Sequence, residues 1–362
     1  MILFLVNSAF QMITAVQLRL TIFKEDEADI IITDDLAHQY DIAKGVVSSG
    51  IFKNVYTAKT KGYNWKNWKF VIAGRAYDSN LLHRLPFVID NKYDIFLYCN
   101  YSGFCTCLAS YLKRTQNTQL MMFEDGFISY TEHWRKHIQY SIEPSRFIEK
   151  VLYFFEKKSN YYVSKYWVFN PNLISDWNFN FTIEKIPNIT ENTISALNRI
   201  YNYDQCTDNY SSYKCIFFEE SYYADGIDIR DLEIVDRVST IIGKANMMIK
   251  IHPRNPENRF SKLGYKTNSN TEIPWEIIAL NNDFSDTILM TIALGSSITS
   301  HFISGKDANK SIMLYDMKEI DKEKLTPSIS IFDTICRKDP YFVFPKDFED
   351  LQEILCGVLE DA

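Results

Sequence analysis

Short apolar runs alternate with amphipathic stretches along most of the chain. The apolar runs predict buried strands, and the stretches between them carry the three-to-four-residue spacing typical of helices. This alternation predicts an α/β protein with parallel sheets covered by helices on both faces. The predicted strands include Leu3–Val6, Asp29–Thr33, Tyr93–Tyr98, Gln119–Phe123, Lys214–Phe218, Met247–Ile251, Thr287–Ala293 and Ser311–Tyr315.

The pattern is interrupted between residues 170 and 188, where Pro171 and Pro187 stand in a stretch without clear periodicity. A chain of 362 residues also exceeds the usual size of one domain. We therefore predict a Rossmann-like domain over residues 1–155, a second over residues 156–345, and a C-terminal helix over residues 346–362. Two such domains predict a ligand cleft between parallel sheets.

Composition narrows the functional classes. A formal net charge of −7 argues against a nucleic-acid-binding protein, which usually carries a basic face. The odd count of 7 cysteines, without a C-x-x-C pair, favours reduced thiols in a cytoplasm. The N-terminus lacks the basic region of a signal peptide, and no apolar stretch reaches the ~18 residues of a membrane span. We therefore expect a cytoplasmic protein.

Glu124 and Asp125 directly follow the predicted strand Gln119–Phe123 and precede Gly126. Open parallel sheets place ligand sites at the carboxyl ends of their strands. A carboxylate there can accept the proton of a sugar hydroxyl, which contributes typically ~10²–10⁴-fold to a rate. An acidic turn with a glycine at positive φ is the alternative interpretation.

His252 follows the predicted strand Met247–Ile251 and has Lys250, Pro253 and Arg254 as neighbours. An imidazole beside two cations suits an anionic leaving group, because it can donate a proton or remain charged and stabilise the anion. A histidine that only caps a strand end is the alternative.

Ser296 and Ser297 lie where the predicted strand Thr287–Ala293 leads into a helix. Hydroxyls and free N–H groups at a helix N-terminus bind anions, although an ordinary serine cap has the same appearance. Glu276, two residues after Pro274, lies in the first turn of another predicted helix. Its carboxylate can bond ribose hydroxyls or merely complement the helix dipole.

Several familiar motifs are missing from the sequence. Neither G-x-G-x-x-G nor a Walker P-loop occurs, which argues against nicotinamide and ATP sites. The segment around Ser296 is not G-x-S-x-G, which weakens a serine hydrolase. His133 and His137 are four residues apart without an evident third ligand, so we predict no metal site.

The acidic, His-Pro and Ser-Ser motifs occur in the order found in bacterial sialyltransferases. The chain most closely resembles glycosyltransferase family 52, the lipooligosaccharide and capsule sialyltransferase group. The opening segment with Asn7 and Gln11, and the segment Ile273-Pro274-Trp275-Glu276, are also similar to that family. The resemblance covers residues 2 to about 300.

This resemblance implies a GT-B fold with an acceptor domain first and a donor domain second. It implies an inverting, metal-independent sialyltransferase without a cofactor, which joins sialic acid from CMP-sialic acid to a terminal galactoside of a bacterial surface glycan through an α2,3 linkage. Asp125 would be the general base, and His252 would assist the departure of CMP. The implied donor-binding residues are Lys250, Pro253, Glu276, Ser296 and Ser297.

Further site candidates are Asn7, Gln11, Glu124, Gly126, Asp225 and Arg254. Asp225 stands in Ala224-Asp225-Gly226, which partly repeats the acidic motif, so Asp225 or Asp228 is an alternative base. We favour Asp125 because the base should come from the acceptor domain.

Two other functions stay open. One is a GT-B transferase for another nucleotide sugar, such as a UDP-hexose. The other is a non-catalytic protein of polysaccharide assembly. The aromatic stretch Phe147–Phe155 predicts a packed helix, with a homodimer contact or a peripheral patch on the inner face of the plasma membrane as alternatives.

Overall fold

A computed structural model of the chain divides into two compact units, Met1–Tyr203 and Asp204–Ala362. The structure describes residues 1–60, 81–85, 87–99, 102–142, 163–205, 208–293, 295, 299–301, 303, 310–325, 329, 332–333 and 336–360.

Within its described residues, the first unit contains a seven-stranded parallel sheet with the order β3-β2-β1-β4-β5-β6-β7. The order reverses direction between β1 and β4, which makes this the switch point where doubly wound sheets bind ligands. The strands are β1 (Ile2–Val6), β2 (Ala28–Thr33), β3 (Asn54–Ala58), β4 (Ile95–Tyr98), β5 (Gln119–Phe123), β6 (Val163–Val168) and β7 (Thr182–Lys185).

Helices lie between most consecutive strands of this sheet. Gly45 allows one close approach, because a Cβ there would lie 2.3 Å from the carbonyl oxygen of Ile200. The helices are α1 (Ala9–Thr21), α2 (Gln39–Ser49), α3 (Phe87–Asp90), α4 (Gly103–Gln116), α5 (Glu132–Ile142) and α6 (Glu191–Ile200).

In the described part of the second unit, a six-stranded parallel sheet has the order β10-β9-β8-β11-β12-β13. Its switch point lies between β8 and β11. The strands are β8 (Cys215–Phe218), β9 (Met247–Lys250), β10 (Lys266–Thr267), β11 (Ile288–Thr291), β12 (Lys310–Met313) and β13 (Phe342–Val343). The helices are α7 (Asp231–Ile242), α8 (Arg259–Lys262), α9 (Trp275–Asn281) and α10 (Phe348–Glu360).

Several inner strands of the two sheets are buried along their whole length. Every residue of β1, β2, β8 and β11 is buried, as expected for parallel strands covered by helices on both faces. This explains why the strands appear in the sequence as apolar runs. The prediction of two α/β domains with parallel sheets is confirmed.

The first unit extends to Tyr203, beyond the boundary predicted near residue 155. The added segments are β6, β7 and α6: β6 pairs with β5, β7 pairs with β6, and the helix packs on α1 and α2. The segment predicted as an irregular junction therefore contains β7, an edge strand of the first sheet. The C-terminal helix α10 belongs to the second unit, where the Arg237 guanidinium lies over the Phe348 ring.

None of the helices among the described residues is both long and apolar enough to cross a membrane. The aromatic stretch 147–155, for which a packed helix, a dimer contact or a membrane patch was considered, lies outside the described residues.

Candidate active site

The acidic motif lies where β5 ends, at the carboxyl edge of the first sheet. Gly126 has φ of 64° and begins a 3₁₀ turn over Gly126–Tyr130, so the predicted glycine turn is present. The Asp125 N–H donates to the Ser129 hydroxyl at 2.7 Å. The backbone of Asp125 is therefore held by its own turn.

Glu124 is buried and turned into the protein rather than toward solvent. Its Oε2 accepts hydrogen bonds from the Tyr130 hydroxyl and from the Phe169 N–H, the latter at 2.8 Å. Burial raises the pKa of Glu124 to about 8, against the opposing effect of these two donors. Glu124 thus fastens the end of β5 to the residue after β6, which is a structural role.

Asp125 is only half-buried. Its carboxylate contacts a residue from a distant part of the chain. The Ser8 hydroxyl donates to Asp125 Oδ1 at 2.6 Å. Burial raises the pKa of Asp125, and the Ser8 hydroxyl and the Gln11 carboxamide oppose that rise. Of the two carboxylates predicted in this motif, Asp125 has the exposure that a base requires.

Asn7 and Gln11 lie in the same cluster, at the end of β1 and in the first turn of α1. Gln11 Oε1 accepts from the Asn7 N–H at 2.8 Å and from Asn7 Nδ2 at 3.1 Å, and Asn7 Oδ1 accepts from the Thr33 hydroxyl at 3.0 Å. The Gln11 amide nitrogen is buried without a hydrogen-bonded acceptor among the described residues, yet it lies close enough to Asp125 to influence its pKa. The structure therefore brings Asn7, Gln11 and Asp125 together beside the switch point.

His252 lies just beyond β9, at the carboxyl edge of the second sheet. Its backbone N–H donates to Glu219 Oε2 at 3.1 Å, and its ring Nδ1 accepts from the Arg254 N–H at 3.2 Å. Burial, then the charges of Arg254 and Lys250, lower the pKa of His252 to about 4. Because Nδ1 accepts the Arg254 N–H, the neutral ring carries its proton on Nε2 at neutral pH. Of the two roles considered for this histidine, hydrogen-bond donation by the neutral ring fits the unliganded protein better.

Two cationic side chains accompany His252. Lys250 is buried at the end of β9, and Arg254 forms an ion pair with Asp225 at 2.6 Å between Nη2 and Oδ1. Pro253 lies between His252 and Arg254, in the turn after the strand. Asp228 accepts the Arg230 N–H at 2.8 Å before α7. Asp225 is thus already paired with a cation, whereas Asp125 is bonded to a neutral hydroxyl.

A buried ion network beneath His252 was not predicted from the sequence. Arg259 Nη2 lies 3.0 Å from Glu219 Oε1 and 2.5 Å from Asp231 Oδ2. All three side chains are largely buried. Because Glu219 also accepts the His252 N–H, this network holds the turn that carries the histidine.

A signal for the two glutamates that follow β8, though not for Arg259, was present in the sequence. Phe218-Glu219-Glu220 ends β8 as Phe123-Glu124-Asp125 ends β5. Glu220 Oε1 accepts from the Thr291 hydroxyl at 2.8 Å and from the Ala293 N–H at 2.7 Å, which ties β8 to β11 at the switch point. Burial raises the pKa of Glu220 to about 7.

The predicted phosphate loop is only partly described. Ser296 and Ser297 lie outside the described residues. Glu276 Oε1 accepts from the Thr299 hydroxyl at 2.8 Å, so this glutamate binds the helix that follows the two serines. In the part of the chain that the structure describes, no three His, Cys, Asp or Glu side chains form a metal-binding group. The prediction of a metal-independent site remains a prediction.

Each unit presents its own candidate chemistry at the carboxyl edge of its sheet. The first presents a carboxylate that can accept a proton. The second presents a neutral imidazole, with Lys250 and Arg254 nearby, that can donate a hydrogen bond to an anion.

Comparison with known proteins places this chemistry in a family. The sequence model of the alpha-2,8-polysialyltransferase (POLYST) family matches residues 2–289, most of the 362 residues of the chain. The chain belongs to the alpha-2,8-polysialyltransferase family. The range that this polysialyltransferase family model covers contains Asp125, His252 and Glu276 but ends before Ser296. The predicted resemblance to sialyltransferases is confirmed at this level.

Solved structures support the fold of this polysialyltransferase-family chain. The UDP-GlcNAc 2-epimerase from Methanocaldococcus jannaschii has 13% identity and a TM-score of 0.53 over 99% of this chain and 92% of its own. A kitacinnamycin glycotransferase has 8% identity and a TM-score of 0.55 over 99% and 91%. The alpha/beta-galactoside alpha-2,3-sialyltransferase from Photobacterium phosphoreum has 8% identity and a TM-score of 0.52 over 95% and 98%.

At these identities the structures show the fold alone, which is the GT-B fold. None of the curated protein sequences matches the chain. Family and fold together identify the protein as a glycosyltransferase of a sialyltransferase family.

Proposed function

We propose that the protein transfers sialic acid from CMP-sialic acid to a sugar hydroxyl with inversion. The observation that carries this proposal is the Asp125 carboxylate, half-buried at the carboxyl edge of the first sheet and held by the Ser8 hydroxyl at 2.6 Å. It is a base with a defined orientation, in a chain of a sialyltransferase family.

The proposed reaction is a single displacement. The acceptor oxygen forms a bond to the anomeric carbon while the bond from that carbon to the CMP phosphate oxygen breaks. The electron pair leaves with CMP, and the acceptor proton passes to Asp125. CMP-sialic acid is already activated, so the enzyme need only stabilise the charge that develops on the phosphate.

In this proposal the second unit supplies that stabilisation. His252 donates a hydrogen bond from Nε2 to the phosphate, and Lys250 and Arg254 contribute positive charge. A bound phosphate favours the charged imidazole and thereby raises the pKa of His252 from its low value in the free protein. Ser296 and Ser297 would bind the phosphate and Glu276 the ribose, as the resemblance implies.

For the acceptor we propose a glycan that ends in sialic acid, joined through an α2,8 linkage. This proposal rests on the description of the matched family. It replaces the α2,3-linked galactoside expected from the sequence, which now becomes the second acceptor in the test. Membership of family 52, a lipooligosaccharide or capsule role, cytoplasmic location, dimerisation and membrane association remain predictions.

Nucleotide selectivity tests the donor. We expect CMP to raise the melting temperature of the protein more than UDP or GDP does. A ligand present at 100 times its Kd stabilises the folded protein by about 2.7 kcal/mol. The variant His252→Gln should lose most of the shift with CMP. Greater protection by UDP would contradict a CMP donor and favour the UDP-hexose alternative.

Product analysis tests the acceptor. The protein is incubated with CMP-sialic acid and either a sialylated or a galactose-terminated oligosaccharide. We expect an α2,8-linked product from the first acceptor. Transfer to the galactoside alone would support the α2,3 linkage, and consumption of neither acceptor would favour the non-catalytic alternative.

A further inference from the structure

Ser8 joins the start of α1 to Asp125, a residue 117 positions away. It is the N-cap of α1, with extended backbone angles of φ −137° and ψ 164°. Its hydroxyl accepts the Gln11 N–H at 3.2 Å and donates its single proton to Asp125 Oδ1 at 2.6 Å. One hydroxyl therefore performs both a capping role and a contact with the carboxylate.

The orientation of the Asp125 side chain depends on this contact. The backbone of Asp125 is fixed by the bond from its N–H to Ser129 and by the positive φ of Gly126. The side chain can still rotate about its own bonds. Because Ser8 engages Oδ1, the other oxygen, Oδ2, is left as the atom that would accept a proton from a substrate hydroxyl.

We propose that Ser8 is a positioning residue for Asp125, and that its hydroxyl holds Oδ1 so that Oδ2 is presented to the acceptor hydroxyl. This inference rests on the proposed function, in which Asp125 is the base. Neither the family description nor the sequence motifs assign a role to Ser8.

The same contact also favours the charged form of Asp125. Burial raises the pKa of Asp125, and the Ser8 hydroxyl is the first of the two groups that oppose it, ahead of the Gln11 carboxamide. Among the residues that the structure describes, the other titratable groups that interact with Asp125 are the adjacent Glu124 and the buried Cys99 thiol, neither of which carries a positive charge. Removal of the Ser8 hydroxyl should therefore raise the pKa of Asp125 further. A base acts when deprotonated, so the acidic limb of the pH profile should move to higher pH.

The test compares variants at Ser8 with a capping control elsewhere. Ser8→Gly removes the hydroxyl at a position where glycine is a tolerated cap, whereas Ser8→Thr keeps the hydroxyl. Thr190→Ala is the control, because Thr190 caps α6 through the Thr193 N–H without contacting Asp125. The pH dependence of kcat/KM is measured for each protein with CMP-sialic acid, together with its melting temperature.

We expect Ser8→Gly to shift the acidic limb upward by about one pH unit, the size expected when a carboxylate loses one hydrogen-bond donor. Ser8→Thr should restore the wild-type limb. Thr190→Ala should lower the melting temperature without moving the limb.

The proposal is overturned if folded Ser8→Gly keeps the wild-type limb and kcat, or if Thr190→Ala shifts the limb as much. A separate variant, Asp125→Asn, tests the proposed function. Wild-type turnover in Asp125→Asn would show that Asp125 is not the base, independently of the results for Ser8.

Discussion

The ring of His252 is neutral at pH 7 because it is partly buried and lies near two cations. Its pKa falls from the ordinary value of 6.5 to about 4. Between these two values the unfolded chain binds a proton at this residue and the folded chain does not. The stability contributed by the neutral ring is therefore complete above pH 6.5 and is lost as the pH falls toward 4.

We predict a pH-dependent difference in stability between the wild type and His252→Gln. The free energy of unfolding of the wild type, relative to the variant, should decrease by about 3 kcal/mol from pH 7 to pH 4, at 1.36 kcal/mol per pKa unit. Urea unfolding of both proteins without ligand measures this difference, and the other histidines cancel in the comparison. A difference independent of pH would show that His252 titrates normally.

Some of these side chains could be predicted from the sequence, and others could not. Asp125 and His252 could be predicted because each directly follows an apolar strand. Ser8 and Arg259 could not, because their partners lie 117 and 40 positions away and only the fold brings them together. The inward orientation of Glu124 is also a tertiary effect, set by Tyr130 and the Phe169 N–H.

At the level of elements, both units use a buried glutamate to join neighbouring strands. Glu124, after β5, accepts the N–H of the residue that follows β6. Glu219, after β8, accepts the N–H of His252 beyond β9. In both sheets a buried carboxylate therefore fixes the backbone at the carboxyl edge, where the candidate site residues stand.

The position of Glu219, which accepts the His252 N–H, depends on Arg259. We predict that Arg259→Met destabilises the protein by about 3–5 kcal/mol, because Glu219 and Asp231 would be left buried without their cation. Arg230→Met is the matched control, since Arg230 pairs with Glu233 at the surface and its loss should change the free energy of unfolding little. Chemical unfolding of both variants measures the two losses. Equal losses would contradict a structural role for the buried network.

Buried, apolar strands could be predicted from the sequence, but the edge strand β7 could not. Its sequence, Thr182–Lys185, has one apolar residue, because an edge strand contacts the sheet on one side only. The absence of an apolar run led to the prediction of an irregular junction there. The first unit consequently extends beyond the boundary expected from the sequence.

For the whole molecule, the alternation of strands and helices was sufficient to predict two parallel α/β units. It could not define the donor or the acceptor, because many enzymes with different substrates share this fold. The proposals for the donor and the acceptor depend on the family match and on a few side chains at the carboxyl edges of the two sheets. We propose that Asp125, in the first unit, is the base for sialyl transfer.

The most direct measurement of that claim is the turnover of CMP-sialic acid by Asp125→Asn beside Asp225→Asn, the alternative carboxylate. Both variants remove one charge and keep the size of the side chain. Our account predicts that kcat falls at least 100-fold in Asp125→Asn, the loss expected for a general base, and stays within a few-fold of wild type in Asp225→Asn. Normal turnover in folded Asp125→Asn, or a large loss confined to Asp225→Asn, would contradict it.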